Sequence, residues 1–314
     1  MTEATVSRAR TLQRMHPGDQ VFRLALVGAA ATIPLLLSLI AGELWEGARP
    51  AISKFGFRFI IRSAWNPVTE HFGAAPLIFG TLVSSLVALL IAIPLSLGVA
   101  IYLAEFAPRI IREPIAFFVG LLAAIPSVVY GLWGIFVLIP FLRGFIFPAM
   151  QGALGFLPLF QGAIYGPSLL TAGIILAIMV MPYIMAISRE ALIAVPASQR
   201  EAALALGSTR WEAITLAIVP YARSSIFGAV VLGLGRALGE TMAVTMVIGN
   251  RHDISASLFA PGYSMAAAIA NEFSEAVGDL HLSALAYVAL LLFAITVLVN
   301  AGARLLIRHA VRLR

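Results

Sequence analysis

From Phe72 to Ala104 the chain runs thirty-three residues without one charged side chain. Roughly twenty apolar residues in a helix cross the hydrocarbon core of a bilayer, so this stretch fits a membrane and fits a soluble fold badly. Further apolar runs lie near 24–42, 115–142, 168–188, 224–250 and 282–303. Only 11% of the residues are charged, against about 25% in a soluble domain. The expectation is an all-α polytopic membrane protein with six transmembrane helices, the second (about 75–104) kinked at Pro94. Leu24–Gly42 is long for a secretory signal and lacks an A-x-A cleavage site, which makes it an uncleaved anchor.

Three absences narrow the chemistry. There is no cysteine, so disulfides and cysteine-held metals are excluded. The five histidines (16, 71, 252, 281 and 309) have no metal-ligand spacing and read as loop and interface residues; no metal and no cofactor is expected. Lys54 is the only lysine and sits in AISKFG, not in the G-x-x-x-x-G-K-[ST] of a phosphate-binding loop. If ATP drives this protein, another chain binds it. The sequence pI near 10.2 is arginine, which points to orientation in the membrane and not to nucleic acid.

Six spans return both termini to one side. Counted on Lys and Arg, that side carries fourteen and the other six, so the positive-inside rule puts both termini in the cytoplasm. The N-terminal segment 1–23 and the basic tail 304–314 then flank a permease region, 24–303. Within it, KFGFRFIIR (Lys54–Arg62) suggests an amphipathic segment in the interface, and Arg143–Pro167 an external loop or re-entrant edge. In IPSVVYGLWG (Ile125–Gly134), Ser127 and Tyr130 bring hydroxyls to membrane depth. Such groups contact a solute or are satisfied by their own helix.

The fifth run contains GLGRALGETMAV (Gly233–Val244). Arg236 and Glu240 are expected to stand one helical turn apart on one face, where a charge costs about 2.5–3.5 kcal/mol even on the lenient scale. Gly235 and Gly239 form a small-xxx-small pair that admits a neighbouring helix. A structural ion pair joining two helices is one reading. A charged station on a solute pathway is the preferred one, because intramembrane ionisable groups usually face a bundle interior or a wet cavity.

The polar stretch 189–223 is expected on the cytoplasmic face. Ser198-x-x-Glu201 and Thr209-x-x-Glu212 are capping-box patterns on either side of Gly207, giving helix, glycine break, helix. Ala202, Ala203, Leu204 and Leu206 offer a small apolar face suited to a partner's groove, or to lipid headgroups. On the opposite side, Ser264–Val277 reads as a short external helix.

EAALALG (Glu201–Gly207) followed by the distal Pro220 resembles the EAA loop of bacterial ABC-importer permeases. WNPVTEHFG, FGTLVSSLVALLIAIPLSLGVAIYLAEF, IPSVVYGLWG, GRALGETMAV and ANEF resemble the PstC permeases of phosphate importers, over residues 65–273. The resemblance implies an ABC importer type I permease fold in a bacterial inner membrane. It implies three kinds of partner: a second, PstA-like permease, a PstB-like ATPase dimer and an external PstS-like phosphate-binding protein. It puts Glu201, Ala202 and Gly207 in the loop that couples to the ATPase, and Arg236 and Glu240 on the phosphate pathway. A sulfate- or molybdate-type permease is the nearest alternative. A secondary transporter would call for inverted repeats with paired broken helices, and no such self-similarity is visible in the sequence.

Overall fold

The computed structural model describes residues 17–312. Residues 1–16, with Arg8, Arg10 and Arg14 of the expected N-terminal segment, and residues 313–314 of the tail lie outside the described residues. The chain divides into two units, residues 1–46 and 47–314. Among the described residues, six helices are long and apolar enough to cross a membrane, and no strand forms.

The first helix, α1 (Pro17–Phe55), continues through Glu43, Glu46 and Arg49, where a polar connection is expected from the sequence. It stops before Gly56, whose φ of +53° breaks the helical path. Within residues 18–46 the side chains are exposed almost throughout, as a lipid-facing helix requires.

In the second unit, α2 (Arg58–Ile61) is a single turn. The aromatic patch does not simply lie on a surface: Phe59 is fully buried and stacks on Tyr287 with ring centroids 4.5 Å apart. The remaining helices are α3 (Ala75–Phe106), α4 (Arg109–Ala124), α5 (Ser127–Leu154), α6 (Leu169–Ile193), α7 (Ala197–Ala205), α8 (Arg210–Gly239), α9 (Met242–Val247), α10 (Met265–Glu272) and α11 (Asp279–Arg312).

Two of these depart from the expected runs. The apolar run 115–142 is split at Ile125–Pro126, because a proline disfavours helix in the residue before it; Ile125 is extended with ψ 130°. The spanning helix is therefore α5, which carries on through Arg143 to Leu154, where a loop is expected. The fifth spanning helix begins at Arg210 instead of near 224, passes through Pro220 and ends at Gly239.

Three of the prolines inside helices share one solution, while Pro94 and Pro182 sit in unbroken α-helix. Three π-helical turns, Gly134–Leu138, Leu142–Ile146 and Ile214–Ile218, each end two residues before a proline: Pro140, Pro148 and Pro220. A proline ring clashes with the carbonyl one turn back and offers no N–H to it. Widening that turn makes room, so the helix is carried past the proline and not terminated.

The core centres on α6, which packs against α3 and α8. Hydrophobic burial gives little between helices in lipid, so close van der Waals fit through small residues carries the association. Gly173 admits Val87 of α3, and Gly233 admits Val180 and Ile184. The expected pair Gly235 and Gly239 is not the point of closest approach: Gly235 lies at ordinary distance from Asn300, and nothing stands near Gly239. Gly80 of α3 lies under the Tyr263 backbone, and the neighbouring Thr81 hydroxyl accepts the Met265 N–H at 2.8 Å. These contacts tie α3 to the loop that carries α10, whose N-terminus is capped by Ser264.

A methyl group at Gly80 would collide with the Tyr263 carbonyl oxygen, whereas one at Gly98 of the same helix meets nothing within 4 Å. Gly80→Ala should therefore lower stability in detergent by about 1–3 kcal/mol, and Gly98→Ala should raise it by roughly 0.5–1 kcal/mol. Thermal unfolding of the two variants checks this; equal midpoints would contradict the packing described.

Candidate functional site

Arg236 lies in the last turn of α8, where the negative end of the helix dipole favours a cation. Glu240 is not one turn along the same face. The helix ends at Gly239, Glu240 is extended with ψ 126°, and Arg236 and Glu240 form no ion pair. The break has a local cause: the glycines weaken helix, and the Thr241 hydroxyl donates to the Gly239 carbonyl at 3.3 Å, an alternative to helical pairing.

The guanidinium carbon of Arg236 instead lies over the ring of Tyr183, 4.5 Å from its centroid. Its Nε is buried without a hydrogen-bond partner among the described residues. Tyr183 hangs from a second break. Its hydroxyl donates to the Ala123 carbonyl at 3.0 Å, and the Tyr130 hydroxyl donates to that of Leu122 at 2.8 Å. Both carbonyls are among the last four of α4, beyond the reach of the helical ladder; that of Leu122 also accepts the Ile125 N–H at 3.3 Å. The Tyr130 hydroxyl is thus satisfied across the Pro126 break and not inside α5. The two interruptions adjoin: a methyl group at Gly131, just past Pro126, would meet Ala243 and Met246, just past Glu240. Broken helices meeting around a charged side chain are a form that solute sites in transporters take.

The helix, glycine break, helix expected in 189–223 forms between α6 and α8. Helix α7 begins at Ala197 with Pro196 at its cap and no side-chain cap, so Ser198 does not cap it; the fixed φ of proline starts the helix two residues early. The other end follows expectation. Gly207 has φ +86°, its N–H bonds the Leu204 carbonyl and that of Ser208 the Ala203 carbonyl, the paired bonds of a Schellman close. The Thr209–Glu212 capping box is complete. Glu201 and Ala202 are exposed, Ala203 is half-buried, and Leu206 projects with 87% of its surface accessible.

Beneath α7 lies an anchor that the sequence reading missed. Arg200 pairs with Glu105 at the end of α3, N···O 2.9 Å, with both side chains largely buried. It also donates to the Leu192 carbonyl at 2.7 Å and to that of Val195. One residue so joins α3, α6 and α7. An acid closing one span and an arginine ahead of EAA were the only signals, and neither gives a distance.

A third cluster joins the loops at the opposite end of the bundle. Glu272 accepts the Trp65 indole N–H at 2.7 Å and faces His281 at 3.2 Å and His252 at 3.4 Å. Trp65 stacks on His252, and Phe72 on His281. These residues line a cavity of about 560 Å³. Burial works to raise the Glu272 pKa, but the contacts from His252, Trp65 and His281 outweigh it and hold the carboxyl below its usual range. Burial pushes the Tyr263 hydroxyl beside this cluster up to about 12.

Residues 96–312 match the family of binding-protein-dependent transport system inner membrane components. A relative from Mesorhizobium japonicum, "Phosphate transport system permease protein PstC", is 48% identical over 95% of this chain and 92% of its own. Its counterpart in Pasteurella multocida is 46% identical over 93% and 92%. One from Mycobacterium tuberculosis, "Phosphate transport system permease protein PstC 2", is 39% identical over 97% of each. Among solved structures, the inward-facing MetNI methionine ABC transporter contains a chain with TM-score 0.53 and 16% identity, covering 73% of this chain and 92% of that one. That likeness shows a shared fold.

A lowered carboxyl pKa stabilises the folded form above the ordinary carboxylate range, and the contribution fades as pH falls through the lowered value. Glu272→Gln should remove that pH dependence and loosen the loop by about 1–3 kcal/mol. Hydrogen exchange over residues 264–273, followed from neutral pH down past the ordinary carboxylate range, reads it. Protection unchanged by the substitution would overturn the role given to Glu272.

Proposed function

The chain belongs to the family of binding-protein-dependent transport system inner membrane components, and from that premise we propose that it is a membrane-spanning subunit of an ATP-driven importer of inorganic phosphate. Its partners are a second, PstA-like permease, a PstB-like ATPase dimer that hydrolyses the ATP, and an external PstS-like binding protein. It lies in the bacterial inner membrane with both termini in the cytoplasm. The relatives' names support phosphate as the cargo, and the observation that carries the chemistry is Arg236, a guanidinium between two broken helices with no carboxylate partner among the described residues.

A guanidinium presents its donors in a planar fork that matches two phosphate oxygens at once, with charge-assisted bonds. Arg236 is the anion station. Glu240 stands four residues on, half-buried and not paired with it. A carboxylate there repels phosphate and keeps the station from holding the ion too tightly, since passage requires release. ATP binding closes the ATPase dimer, the coupling loop carries that movement to the spans, and the pathway opens outward to receive phosphate. In that loop Glu201, Ala202, Ala203 and Gly207 form the docking segment. Its exposed apolar face fits a groove on the ATPase better than it fits water, and the Arg200–Glu105 pair transmits its movement to α3.

Arg236→Gln should cut labelled-phosphate uptake by roughly tenfold or more in vesicles holding the full complex, the range of a lost charge-assisted contact. Uptake at the wild-type rate in an assembled complex would dismiss the anion station. Labelled sulfate and molybdate in the same vesicles test the alternative cargo, and either one carried as fast as phosphate would reassign it.

Gly207 holds a φ that a branched side chain adopts only with strain. Gly207→Val should therefore leave ATP hydrolysis running while uptake falls severalfold. Full uptake per ATP hydrolysed would refute the coupling role.

A further inference from the structure

An intramembrane arginine is usually neutralised by a carboxylate, and a bidentate carboxylate would occupy the same in-plane donors that an anionic solute needs. Arg236 is held differently. The contact it makes is through the face of Tyr183, with the guanidinium carbon 4.5 Å from the ring centroid. An aromatic face attracts a cation by its quadrupole and accepts no conventional N–H···O bond from it. Among the described residues its Nε has no hydrogen-bond partner, while its charge is partly offset by the ring.

The ring itself is fixed at its far end. The Tyr183 hydroxyl donates to the Ala123 carbonyl, in the last turn of α4. The Tyr130 hydroxyl donates to the adjacent Leu122 carbonyl, and Tyr130 lies within electrostatic reach of both Arg236 and Tyr183. Two hydroxyls from two helices thus cap one helix end, and the capped end sets the angle of the ring on which the arginine rests.

We propose that Tyr183 is a positioning residue for the transported anion: its ring seats the Arg236 guanidinium so that the N–H donors are presented to a tetrahedral oxyanion. This rests on Arg236 being the anion station. Tyr183 itself makes no bond to the anion; it acts through the arginine. A tyrosine suits the role because it supplies both the π face and the hydroxyl that anchors it.

The test uses the complete importer in phospholipid vesicles with labelled inorganic phosphate, reading KM and kcat for wild type, Y183L, Y183F, R236Q and the Y183L/R236Q double variant. Y183L should raise the phosphate KM by roughly three- to thirtyfold, the range of one desolvated cation–π contact, with a smaller change in kcat. Y183F keeps the ring and loses only the hydroxyl, and it should recover most of that loss. In the R236Q background Y183L should add nothing further. If R236Q is impaired while Y183L keeps a normal KM, the positioning role falls and the anion station stands. Multiplying effects in the double variant, or a Y183F as impaired as Y183L, also overturn it. Normal uptake by R236Q removes the station and this inference with it.

Discussion

In hydrocarbon there is no water to satisfy a freed N–H or C=O, so each backbone interruption must find its partner inside the protein. The described structure answers to this constraint in two ways. At Pro140, Pro148 and Pro220 a π turn carries the helix past the proline. Where a helix does end within the bundle, a side chain from elsewhere takes up the open carbonyls. Tyr130 and Tyr183 do so for α4, and Arg200 does so for α6 and the turn that follows it. The residues that meet these needs stand beside Arg236 and beneath α7.

Charge in the bundle follows a related economy. Arg200 and Glu105 are both largely buried and satisfied by one another and by carbonyls, so their geometry is fixed. Arg236 is only half-buried and is stacked on a ring, and its Nε has no hydrogen-bond partner among the described residues. A buried pair with every donor engaged suits a joint. An arginine with a donor to spare suits a group that must exchange partners.

Much of this was legible in the sequence, and the failures share a cause. Composition gave the number of spanning helices, because a run without charge needs no tertiary information. The Thr209–Glu212 box, the Gly207 close and the Ser264 cap were readable because caps are local chemistry. Helix ends within apolar runs were not readable. Hydropathy does not register a π turn ahead of Pro220, and nothing in GRALGE says that the helix stops at Gly239. That last point undid the expected Arg236–Glu240 pairing, since spacing of four brings residues together only while both are helical. The Trp65–Glu272–His281 cluster and the Arg200–Glu105 pair were hidden for a simpler reason. Their members lie 207, nine and 95 positions apart, and polar residues of separate loops carry no periodicity to betray contact.

In the proposed cycle, α6 is the element through which the two ends of the bundle communicate. Tyr183, under the arginine, and Leu192, whose carbonyl holds Arg200, are nine residues apart on one continuous helix, about 13 Å along its axis. Gly173 and the buried Val180 and Ile184 lock that helix against α3 and α8. Pro182 lies inside α6, but from Tyr183 to Leu192 the helix is uninterrupted, so that segment shifts as a body. Movement delivered at Arg200 therefore reaches the ring of Tyr183 without a chain of flexible intermediates. That ring is tied by its hydroxyl to the end of α4, so the same shift draws on the break at Ile125–Pro126. In the proposed cycle, one rigid helix changes how the arginine is presented and how the adjoining break is held, in a single displacement.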